Sequence, residues 1–459
     1  MKLTYKVEDK PSFGQILVFA FQQLLAILAA TICVPAQAGI LGGESAALLG
    51  AGVGTIVYLL FTKFRSPVFI GSSFSFINSM AVAYSSAITA LAGADLGAEV
   101  GPQMGYAGLI IGAVFAGLVY VAISLVVKRF GTAWIDRFMP PVVIGPTVAI
   151  IGLGLAGSAV QECFSWANAV RIGSSSFYEM NATTLVSVIC ALVTLLVVIL
   201  CSVYGKKTLK LIPFVVGIAA GYIVATIFTL IGRASGNTAI QLIDFSTFKH
   251  MQWMPKLVFV EGAKGLKYIN GSYIATLIAA YVPVGFVVFA EHLADHKNLS
   301  TIIERDLTKD PGLDRTLLGD GIGSIAGAFF GGCPNTTYGE SIACTAVTGN
   351  ASIVTILTTA ILAILASFFG PFVTLLASIP ACVMGGVCFT LYGFIAVSGL
   401  KMLQPVDLND NRNLFTASII LVAGIGGFAM SFGAIHLTNT ACALVLGIIA
   451  NVILNKKAK

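Results

Sequence analysis

The chain has 459 residues, 57% of them hydrophobic and only 10% charged, with a mean hydropathy of +0.94. A soluble protein would carry roughly 25% charged residues, and apolar runs long enough to span a bilayer recur from end to end, so this is a polytopic membrane protein with no soluble domain. The net charge of +6 does not point to nucleic acid: with the N-terminus cytoplasmic, about 20 of the 26 Lys and Arg, among them Lys63, Arg65, Lys128, Arg129, Arg305 and Lys401, fall on the cytoplasmic side.

The segment before Gly14 is polar and of mixed charge, too polar for a signal peptide, and no cleavage is expected. Spans one and two are expected at 15–37 and 45–63. Gln22 and Gln23 lie in the middle of the first; such a Gln ordinarily joins helices, and lining a polar cavity is the other reading. Span three, 68–90, opens on Phe69 to Asn78, an alternating stretch rich in Gly and Ser. It reads as extended chain leading into a half-helix, the alternative being an ordinary helix with serines on its buried face.

Span four is expected at 104–128, and span five at 139–157, kinked at Gly145-Pro146. Spans six and seven follow at 183–204 and 211–232, then an interfacial interval, 233–270, containing Trp253. Span eight, 272–293, ends near Glu291 and Asp295, which share a helical face. Both acids could instead sit in water at the helix end, and His292 and His296 read as solvated. Span nine, 316–332, is Gly-rich and contains Asp320, which either anchors helices or faces a cavity.

Span ten is the second irregular segment. Gly331, Gly332 and Pro334 break a helix, Thr337 and Tyr338 offer hydroxyls, and Glu340 stands at the start of a short run of small residues, Ser341 to Thr348. A helix that begins inside a bilayer aims unpaired N–H groups and a positive dipole end at a cavity. Spans eleven to fourteen are expected at 352–376, 379–400 (with Tyr392), 413–431 and 434–454. The fold class is therefore an all-α polytopic membrane protein of about fourteen segments, in two inverted repeats of seven, with spans three and ten broken at corresponding places.

Nine cysteines fall mostly in apolar runs without a CxxC pair and read as buried thiols; no metal or cofactor is expected. Glu291 and Glu340 are the acids placed beside apolar stretches where a central site could form. A charged acid at mid-membrane costs roughly 2.5–3.5 kcal/mol, and of two crowded acids one can carry a proton. Carboxylates accept from the N–H edges of a planar ligand, while half-helix N–H groups suit its carbonyl oxygens; an imide such as uracil offers both. An inorganic anion would be repelled, since no Arg or Lys lies within 68–80 or 333–349. No HExxH, GxSxG or P-loop is present, so an enzyme is not expected.

At Gln22–Pro35, Gly71–Phe76, Ala290–His292, Asp310–Gly312, Pro334–Glu340 and Leu391–Gly393 the chain resembles the nucleobase–ascorbate transporter family (nucleobase:cation symporters), in its uracil permease branch, over essentially its whole length. The resemblance implies a core domain, 1–130 with 236–374, and a gate domain, 131–235 with 375–459. It implies that Glu291 and Glu340 grip the base, that Phe74, Gly339 and Glu340 offer backbone N–H groups, and that Ser73, Tyr338 and Tyr392 line the site. Glu291, Glu340 and Asp295 become the candidates for proton coupling. The chain departs from the pattern at Ser341 and Ala343, where Asn and Gly are usual, and at Gln23 and Asp295, where uracil–proton symporters can carry His; Gln23 is counted with the substrate residues. The expectation is a homodimeric importer of uracil or a similar nucleobase in the cell membrane, both termini cytoplasmic, coupled to protons, with sodium as the other ion. A xanthine or purine carrier, or an anion exchanger or channel of the same architecture, is the alternative.

Overall fold

The computed structural model describes residues 3–455 except 41, 92–99, 173–174, 207, 250, 252 and 433–434. Along the chain run α1 (Phe13–Gln37), α2 (Glu44–Phe61), β1 (Ile70–Ser72), α3 (Ile77–Leu91), α4 (Val100–Phe130), α5 (Ala133–Phe138), α6 (Pro141–Gly154) and α7 (Ala156–Cys163). Next come β2 (Ala169–Ile172), β3 (Ser175–Tyr178), α8 (Ala182–Tyr204), α9 (Thr208–Leu211), α10 (Pro213–Ser235), α11 (Val258–Gly265), α12 (Gly271–Ile303) and α13 (Leu313–Gly331). The rest are β4 (Asn335–Thr337), α14 (Gly339–Thr348), α15 (Ile353–Ser367), α16 (Gly370–Ala377), α17 (Ala381–Lys401), α18 (Asn411–Ile425), β5 (Met430–Phe432), β6 (Ile435–Leu437) and α19 (Asn439–Asn455).

Among the described residues eight helices are long and apolar enough to cross a membrane: α1, α2, α4, the α6–α7 stretch, α8, α10, α12 and α17. The pair α15 and α16, bent by 82°, makes a ninth span. The shorter apolar helices at Phe74–Ile88, α18 and α19, with α13 and α14, complete the segments that the sequence pattern sets out. Two compact units emerge. The first comprises residues up to Leu153, Pro255–Ser367 and those from Ile395 on; the second is Gly154–Met254 with Phe368–Phe394. The second unit has its own apolar core, in which Val186, Cys190 and Ala191 meet Ala225, Ile243, Cys382 and Val383.

In the first unit, glycine spacing sets the packing. Gly319, Gly323, Gly327 and Gly331 recur every four residues and so form one stripe along α13, and α2 lies on it. A Cβ at Gly50 would stand 2.9 Å from Gly331 Cα. Lipid tails are as apolar as the helix faces, so close backbone approach of this kind is what holds membrane helices together.

Each broken span contains a short strand, and the two strands pair. β1 and β4 run antiparallel, with Ile70 opposite Thr337, Gly71 opposite Thr336 and Ser72 opposite Asn335. Exposed strand edges are forbidden in hydrocarbon, so this ribbon is buried throughout and pinned at its sides. Thr55 Oγ1 on α2 donates to Ile70 O at 2.8 Å and accepts from Ile70 N, and Asn335 Nδ2 donates to Gly50 O at 3.1 Å.

The N-terminal segment is ordered against the far end of α14. Thr4 N and Tyr5 N donate to Gly349 O at 2.8 and 3.1 Å, Ala351 N to Tyr5 O, and Ile353 N to Val7 O. Arg305 ties the same segment to the loop after α12, reaching Glu8 at 2.5 Å and also Asp310, which Arg65 holds from the other side at 2.6 Å.

Candidate substrate site at the crossed half-helices

The ribbon extends past both strands: Ser73 N donates to Pro334 O at 2.9 Å, and Tyr338 N to Phe69 O at 3.2 Å. It therefore fixes the starting points of two half-helices. One begins as a 3₁₀ turn, Phe74–Phe76, and continues as α3; the other is α14. The first turn bond of α14 runs from Ile342 N to Tyr338 O, so the N–H groups of Gly339, Glu340 and Ser341 precede it, as at any helix start. Gly339 is exposed and Glu340 half-buried. A Cβ at Gly339 would meet nothing within 4 Å, so the helix start borders open space.

Helix α12 brings acids to both half-helix starts. Ser75 Oγ, in the first turn of the α3 half-helix, donates to Glu291 Oε2 at 3.0 Å, and Thr337 Oγ1, at the end of β4, donates to Asp295 Oδ2 at 2.6 Å. Glu291 and Asp295, one turn apart on α12, thus each reach one of the two chain breaks. Nothing in the sequence marks Ser75 or Thr337 as a partner of these acids, because the residues lie 216 and 42 positions apart from them.

Other expected site residues take structural positions. Tyr338 is buried, its hydroxyl donates to Ser72 O at 2.9 Å, and its ring lies over Gly71, where a Cβ would come within 2.6 Å. Gln23 is buried, and its amide donates to Ser341 Oγ at 2.5 Å and to Ser341 O at 3.2 Å. Ser73 Oγ is buried with no hydrogen-bond partner among the described residues, Phe74 is 9% exposed, and Tyr392 is buried on α17 within the second unit.

Two histidine expectations are corrected. His292 and His296 are not solvated but 0% and 1% exposed, because α12 continues ten residues beyond the expected end of span eight to Ile303. His292 Nδ1 lies 2.6 Å from Asp320 Oδ2 and its Nε2 3.0 Å from Thr316 Oγ1, both on α13. Asp320 thus fastens helices together, one of its two expected roles. The cysteines are buried apart from Cys163 and Cys201, which are half-buried.

A family model described as a permease family matches residues 14–432. The uracil permease of Bacillus caldolyticus is 36% identical over 98% of this chain and 94% of its own length. The uracil permease of Escherichia coli (strain K12) is 31% identical over 96% and 92%. Among solved structures, the transmembrane domain of a cyanobacterial bicarbonate transporter, BicA, aligns over 99% of both chains with a TM-score of 0.61 and 17% identity. The overall structure of SLC26A9 aligns over 96% of this chain and 64% of that one, with a TM-score of 0.65 and 12% identity. These likenesses show the fold alone: fourteen segments in two inverted repeats of seven.

Proposed function

We propose uracil import for this chain, which belongs to the nucleobase–ascorbate transporter family. The carrying observation is that α12 places two carboxylates, Glu291 and Asp295, against the starts of both half-helices through Ser75 and Thr337. A uracil ring in the open space beside Gly339 would give its N–H edge to Glu291 and Glu340. Its carbonyl oxygens would accept from the N–H groups of Phe74, Gly339 and Glu340. Gln23 acts on the base through Ser341, and Tyr338 and Ser73 shape the ribbon behind it.

The reading divides the chain into a core domain, 1–130 with 236–374, which carries the site, and a gate domain, 131–235 with 375–459. Transport is coupled to a proton, whose charge offsets that of the neighbouring acids Glu291, Glu340 and Asp295. The protein works as a homodimer in the cell membrane with both termini cytoplasmic. The acids at the half-helix starts, with no Arg or Lys in 68–80 or 333–349, support a neutral base over an anion.

Equilibrium binding of labelled uracil to the purified protein, with uracil, xanthine and bicarbonate as competitors, tests the substrate class. Uracil should displace the label far below the concentration at which xanthine does, and bicarbonate should not displace it. Displacement by xanthine at equal concentration would move the assignment to a purine carrier.

A further inference from the structure

The buried polar cluster behind the substrate acids contains two histidines with different freedom. His296 Nδ1 lies 2.9 Å from His292 O, a carbonyl that can only accept, so Nδ1 bears the hydrogen. Its Nε2 faces the Tyr58 hydroxyl at 2.8 Å and Ser66 Oγ at 3.4 Å, Tyr58 donates to Ser66 Oγ at 2.7 Å, and the Ser66 hydroxyl hydrogen is left to serve Nε2. Neutral His296 is satisfied in one arrangement.

His292 has two arrangements. Nδ1 faces the Asp320 carboxylate, and Nε2 faces Thr316 Oγ1, which also lies 3.2 Å from Leu313 O. In the first, Thr316 donates to Nε2, Nδ1–H donates to Asp320, and the pair carries one negative charge. In the second, an added proton on Nε2 donates to Thr316, whose hydroxyl turns to Leu313 O, and the pair is neutral. Only hydrogens move between the two states.

Everything facing this pair leaves room for that change. From α4, the Tyr120 ring stands edge-on to His292 at 6.1 Å; from α12, His296 stacks on it at 3.9 Å, with Glu291 and Asp295 at neighbouring positions in the sequence; from α2 comes Tyr58. Asp320 Oδ1 is buried without a hydrogen-bond partner among the described residues. An incompletely paired carboxylate inside a membrane protein is costly and marks a functional place.

We propose that Asp320, His292 and Thr316 form the binding site of the co-transported proton, a reading that rests on proton-coupled uracil transport. The proton enters on His292 Nε2 from one side of the membrane and leaves from the same atom to the other. Meanwhile Glu291, the adjacent residue, remains free to accept from the base. Removing one charge beside Glu291 lets the occupied core move through the membrane closer to neutrality.

The test has a substrate-independent arm and a transport arm, each on the native chain, Asp320→Asn and Thr316→Val. Infrared difference spectra of the purified protein between acid and neutral pH should contain carboxylate and imidazole bands that vanish in Asp320→Asn. In proteoliposomes both variants should keep uracil counterflow within about threefold of native, while accumulation driven by a proton gradient falls to the level seen without one. Spectral bands unchanged in Asp320→Asn, or native gradient-driven accumulation in Thr316→Val, would overturn the proposal. If Asp320→Asn does not fold, Thr316→Val, which deletes only the rotating hydroxyl, decides it. A native chain that neither binds nor exchanges uracil, yet loses the bands in Asp320→Asn, would sink the uracil reading and leave the proton site standing.

Discussion

Gln23 of α1 donates to Ser341 of α14 at 2.5 Å, and Ser341 Oγ also accepts from Phe69 N at 3.0 Å. One residue from span one and one from span ten thus meet, and Ser341 Oγ accepts from both Gln23 and the Phe69 amide. Ser341 thereby joins α1, the strand leading into β1 and the half-helix that carries Glu340. Gln23→Leu removes the donor and leaves the half-helix free to shift. With a lost buried hydrogen bond costing about 1–3 kcal/mol, uracil affinity should fall roughly tenfold. Equilibrium binding on the purified variant checks this; unchanged affinity would separate Gln23 from the site.

Two glycines should behave in opposite ways. Gly50→Ala drives a methyl group into the α13 backbone, 2.9 Å from Gly331 Cα, and overpacking at such a contact costs about 1–3 kcal/mol. Gly339→Ala meets no atom within 4 Å, so thermal unfolding should match native while uracil binding is lost to the methyl group in the space the base needs. Thermal scans beside binding isotherms for the two variants give the comparison.

The ion-pair cluster at the N-terminal segment carries a pH signature. The Arg305 guanidinium first, then that of Arg65, holds the Asp310 carboxyl below the ordinary carboxylate range. A depressed carboxylate adds stability above its unfolded pKa of about 3.9 and loses it as pH falls through the folded value. The native unfolding temperature should therefore drop on acidification below about pH 4 more steeply than that of Asp310→Asn, which should start lower at neutral pH. The effect is small, because the Asp310 side chain is 44% exposed and solvent screens the pair. Parallel curves for the two proteins would remove the cluster from the stability of the first unit.

Much of the fold was readable because membrane helices announce themselves by length and breaks by Gly, Pro and Ser. The irregular starts at Phe69 and Gly331 marked both half-helices, and Glu291 and Asp295 were placed on one face by spacing alone. What spacing cannot say is which element lies opposite. The pairing of β1 with β4, the seating of Tyr338 on Gly71 and the meeting of His292 with Asp320 join residues 28 to 267 positions apart. The solvated reading of His292 and His296 failed for a local reason. α12 has 33 residues, roughly 50 Å of helix, so its polar end runs on past the expected span inside the protein.

The central claim is that Glu291 and Glu340 hold uracil at crossed half-helices and that its movement is driven by protons. The most direct measurement is labelled uracil uptake into proteoliposomes, with and without an inward proton gradient, for the native chain, Glu291→Gln and Glu340→Gln. The account predicts accumulation in the native protein only when the gradient is present, and its loss in both variants. Uptake that ignores the gradient, or that survives either substitution at native rate, would contradict it.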